Sequence, residues 1–142
     1  MRNMDTEKLL IALSRAKNLE KFLNENTESF HQIQLPDYLS QLIRDKGLNR
    51  GEIIRCCGLS EVYAYQIFNG TRMPSRDKLL CLLVAAKLTV GEVQKLLKVC
   101  GYAGLYIRNE KDCIILYALE NNLSVVDLNL NLERAGLPLL TD

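Results

Sequence analysis

Histidine is nearly missing from these 142 residues: there is one, His31, and no tryptophan at all. A lone imidazole without a nearby cysteine or carboxylate pattern cannot build the metal or proton-transfer sites that histidine serves elsewhere. The five cysteines (Cys56, Cys57, Cys81, Cys100 and Cys113) are odd in number and never fall at CxxC spacing. That argues against a zinc site and leaves reduced thiols used as small apolar residues, with redox sensing by the adjacent Cys56 and Cys57 as the alternative. No apolar run approaches the ~20 residues needed to cross a bilayer. Charge also interrupts the apolar positions of the first 23 residues, unlike a secretory signal, so no membrane contact and a cytoplasmic location are expected. No Ser/His/Asp set can be assembled and no phosphate-binding glycine loop is present. Neither an enzyme nor a cofactor is expected.

Strand signals are scarce as well. Val, Ile and Thr never alternate with polar residues for long, and apolar residues recur at spacings of three and four, which predicts an all-α chain. Leu9, Leu10, Leu13, Ala16, Leu19, Phe22 and Leu23 make one stripe, predicting a helix from Asp5, its cap, to about Asn24. A polar connector follows, with Phe30 and Ile33 placed to pin it to the body. Pro36 sits at the first turn of a second helix, which Gly47 ends. Asn49 with Glu52 forms an approximate capping box, and Gly58 stops the helix that it starts. Ser60 caps a helix to Phe68 that Asn69-Gly70 ends. Ser75 caps another to about Lys87, and Thr89 opens one more to Cys100. Asn109 and Ser124 cap the last two, with Asp112 read as ordinary first-turn charge and Val126, Leu130 and Leu132 among the apolar positions of the last. Three segments are expected: 1–35 as an amphipathic helix and connector, 36–100 as the central domain, and 101–142 as a helical extension.

The net charge is only +1, yet residues 36–95 hold nine basic residues against six acids. The basic excess therefore lies in the middle of the chain, where two short helices meet at the Gly58-Leu59 turn. Such a pair offers one helix end to a DNA groove while the other braces it. Ile53, Ile54, Cys57, Leu59, Ala64 and Ile67 have the spacing to pack between the two helices. Glu61, Val62, Tyr65 and Gln66 would then project outward, with Tyr63 at the edge. Gln66 can pair bidentately with adenine, Glu61 can accept from a cytosine amine, and Val62 can pack on a thymine methyl. Asn49, Arg50, Tyr63, Arg72 and Arg76 are the candidates for phosphate contacts.

Leu48-Asn49, Glu52-Ile53-Ile54, Gly58-Leu59-Ser60, Tyr63-Ala64, Ile67, Asn69-Gly70-x-Arg72-x-Pro74-Ser75 and Leu79-x-x-Leu82 together resemble the phage-repressor-like helix-turn-helix family, of Xre or Cro type. The resemblance spans roughly residues 36–98. It implies a lambda-repressor-like five-helix domain whose third helix, Ser60 to Asn69, enters the major groove of double-stranded DNA. It departs from the family at Glu61 and Val62, where many members carry Arg or Lys. The function expected is a sequence-specific transcriptional regulator, a repressor, binding as a homodimer. The alternative is a protein-interaction module, antitoxin-like, that grips a co-encoded toxin or kinase through the terminal helices or the tyrosine-rich face.

Overall fold

The computed structural model describes residues 6–27 and 33–142, and every described element of regular structure is a helix. The chain divides into two compact units, 1–32 and 33–142.

The first unit holds α1 (Thr6–Arg15) and α2 (Leu19–Glu25). The single helix expected here is broken at Ala16-Lys17-Asn18. Asn18 takes an extended conformation and its side-chain oxygen accepts from the Lys21 amide at 2.9 Å. An N-cap inside an apolar stripe starts a new helix, because its side chain competes for the amides that a continuous helix would use. Asp5, Phe30 and His31 lie outside the described residues. Of the apolar stripe only Phe22 is buried; Leu10, Leu13, Leu19 and Leu23 are exposed.

The second unit contains α3 (Leu35–Lys46), α4 (Arg50–Cys56), α5 (Glu61–Asn69), α6 (Arg76–Ala85), α7 (Val90–Val99), α8 (Glu110–Glu120) and α9 (Val125–Arg134). Its core runs without a break from Leu35 to Leu140. The helix at its centre is α6. Leu79, Leu80, Cys81, Leu82, Leu83 and Val84 are all buried, and a helix apolar all round must be enclosed by its neighbours. It packs against α4 on one side and α9 on another, while α3 lies on α5, and α8 joins α7 to α9. Burial raises the Cys57 and Cys81 thiols, Cys81 to about 12, so both serve as neutral filling. Ile33, expected to pin the connector to the body, is exposed.

Caps set the register. Asn49, Ser60, Ser75, Thr89, Asn109 and Ser124 each accept from an amide three residues on. The reciprocal capping box falls at Thr89 and Glu92. Glu92 also takes a 2.6 Å bond from Lys46, tying the end of α3 to the start of α7.

The residues beyond 100 are built into this body. Asp112, expected on the surface, is 5% exposed. Its carboxylate accepts from Arg76 at 2.7 Å and from the Tyr106 amide at 2.9 Å. Arg76 also donates to the carbonyls of Ala103 and Gly104, and Lys78 Nζ reaches the carbonyls of Thr141 and Asp142. First-turn position alone hid this role, because its charged partner, Arg76, lies 36 residues away. In α9, Leu128 and Leu132 face inward, whereas Leu130, expected among the apolar positions, points out beside Val126.

Candidate nucleic-acid interface

α4 and α5 are joined by four residues in which Gly58 carries the sharp bend, at φ +79°. An L-residue there is strained, and space is closed too: a Cβ on Gly58 would lie 3.0 Å from Thr141 Cγ2 and 3.3 Å from Val125 Cγ1. The C-terminal residues therefore press directly on the turn that sets the angle of α5.

α5 itself is short and two-faced. Ala64, Ile67 and Phe68 are buried against the body. Ser60 Oγ accepts from the Tyr63 amide at 3.2 Å, which fixes the first turn. At the other end Gly70, in the left-handed region, sits against Pro36 of α3, closing the helix. The opposite face carries Glu61, Val62 and Tyr65; Val62 is 68% exposed and Tyr65 46%. These three stand where the sequence placed them.

Gln66 is half-buried and already engaged. Its side-chain oxygen accepts from Arg72 Nε at 3.1 Å, and its backbone carbonyl accepts from the Arg72 amide at 3.2 Å. The same guanidinium lies over the ring of Tyr63, 5.4 Å from its centroid. A cation held by a ring face and a carbonyl loses little freedom on binding a further anion. Tyr63, Gln66 and Arg72 thus form one cluster at the edge of α5, with the Gln66 amide NH2 and the outer guanidinium nitrogens left as donors.

Arg50 lies over the ring of Phe68 at 5.0 Å, and its guanidinium reaches Ser40 Oγ at 3.5 Å. Asn49 is exposed, but its side-chain oxygen is used on the Glu52 amide at 3.0 Å. Arg76 is turned into the body by the three bonds described above, which leaves it no part in this surface. Two aromatic rings that orient arginines, Tyr63 and Phe68, were thus the element that helical spacing could not supply; their pairing needs the fold.

Compared with known proteins, the chain matches no family model, no curated protein and no solved structure. Its chemistry must be read from the residues. Among the described residues no group of three or more His, Cys, Asp or Glu could hold a metal ion. No described helix is long and apolar enough to cross a membrane. What remains is the exposed face of α5, with an acidic and apolar head (Glu61, Val62), a tyrosine and an amide donor, and with Arg50 and Arg72 held on rings of the same helix.

Proposed function

We propose that this chain is a sequence-specific double-stranded-DNA-binding protein, a transcriptional repressor acting as a homodimer, that reads the major groove with α5. The observation that carries the reading is the pairing of a short helix whose outer face is exposed with two arginines held by its aromatic rings. A helix of this width fits the ~12 Å major groove, where base edges carry a unique donor and acceptor pattern. Val62 offers a methyl surface to thymine, Glu61 an acceptor to cytosine N4, Gln66 a donor to a base acceptor, and Tyr65 an apolar face. Arg72 and Arg50 serve the phosphates, setting affinity and its salt dependence. The resemblance to phage-repressor-like regulators supports the same reading, as binding protein and not as catalyst.

One observation favours a second reading. The head of α5 presents an acid and an exposed valine, and the α1–α2 unit bares several leucines, surfaces that suit another protein. In that reading the chain is an antitoxin-like interaction module. Selection of bound duplexes from a random pool at fixed salt separates the two. The DNA reading predicts enrichment of a short palindrome, and a pool that stays random after several rounds would contradict it.

A further inference from the structure

The outer face of α9 carries a stripe with no cover in the folded unit. Val126 is 68% exposed and Leu130 43%, four residues apart, whereas Leu123 and Leu137, beyond either end of the helix, pack against the core. Asp127 and Arg134 flank the same side of this stripe. They are seven residues apart, two turns less about 20°. Both are exposed, and neither forms an ion pair among the described residues.

We propose that this face binds a second copy of the chain, α9 against α9 in antiparallel order about a two-fold axis between Leu130 and Asn131. The occupant follows from the charge pattern. A symmetric pairing about that point sets Asp127 of each copy opposite Arg134 of its partner, twice over. Leu130 of both copies then meets at the centre, Val126 of each copy lies about 7 Å along the axis to either side, and the two Glu133 side chains share the other flank. A parallel pairing about a two-fold would bring Arg134 against Glu133 of its partner and leave Asp127 with no basic group opposite it. A partner of one charge sign would satisfy one residue and repel the other. The stripe is short, well below the ~800 Å² per partner of a standard interface, so the dimer is weak and reversible. Its use on DNA rests on the reading given above; the self-association does not.

The experiment is sedimentation of the full chain without DNA, over a concentration series, with helicity checked for each variant. The parent shows a monomer–dimer equilibrium. Leu130→Glu weakens it at least about tenfold, because a charge enters the contact centre. Asp127→Arg and Arg134→Asp each weaken it, yet an equal mixture of these two regains the parent's affinity to within about threefold, since each supplies the charge the other lost. A parent that stays monomeric overturns the proposal, as does a mixture no better than its components. A dimer that survives Leu130→Glu but is lost in Leu10→Lys/Leu13→Lys also overturns it, in favour of the α1–α2 unit. DNA binding is scored separately on a single half-site: its retention in monomeric variants keeps the reading of α5 independent of this interface.

Discussion

Arg72 is bonded to Gln66 twice, through its side chain at 3.1 Å and through its backbone amide at 3.2 Å. The pair joins a base-reading candidate to a phosphate-binding one, so neither acts alone. Gln66→Ala is expected to relax preference at one base pair and also to loosen the guanidinium. Arg72→Ala is expected to weaken all duplexes alike and to reduce the salt slope by about one. The double variant should then lose less than the two single losses added, a coupling of about 0.5–1 kcal/mol. Titrations of all four proteins on one duplex, at two salt concentrations, measure it; strict additivity would remove the link between the two roles.

Asp112 is the buried anchor of the segment 101–109. Removing its carboxylate strands the Arg76 guanidinium and the Tyr106 amide in a largely buried place. Asp112→Ala is expected to cost about 2–4 kcal/mol in denaturant unfolding, and Asp112→Asn less, because an amide oxygen can still accept.

Gly58 couples the turn to the C-terminal residues. Gly58→Ala meets both a left-handed backbone and Thr141 Cγ2 at 3.0 Å. A loss of at least about 1–2 kcal/mol in unfolding free energy is expected. Adding Thr141→Ser, which removes the crowding methyl, should recover part of it. No recovery would mean that backbone strain alone sets the cost.

Bonds from Lys46 and from the Thr89 amide hold the Glu92 carboxyl below its ordinary 4.5. A carboxylate whose folded pKa is depressed contributes stability above its unfolded pKa and loses it as pH falls through the folded one. Stability should therefore decline below about pH 4.5 more steeply in the parent than in Glu92→Gln, as thermal unfolding across that range will report.

Much of the helix plan was legible because caps and stop glycines are local: six helices in residues 33–142 begin after the Asn, Ser or Thr expected to cap or open them. The inward face of α5 was legible for the same reason, since Ala64 and Ile67 follow helical spacing. What stayed hidden depends on distant partners. Asp112 and Arg76 look like surface charge until the fold brings them together across 36 residues. Leu130 and Leu132 read alike in the sequence, and only the position of the core tells the outer from the inner. In the N-terminal stripe, apolar periodicity masked the cap at Asn18, which divides it. At the candidate site, spacing identified Val62 and Tyr65 as outward, but not that Gln66 would be tied to Arg72.

The central claim is that the outer face of α5 lies against base edges. A photoreactive benzophenone side chain placed at Val62, irradiated in complex with a selected duplex, tests it most directly. The expected result is a covalent protein–DNA adduct mapping to bases within the selected motif, with none from the same group at Tyr117 on α8. Bound duplex that yields no adduct from position 62, or equal adduct from both positions, would contradict the account.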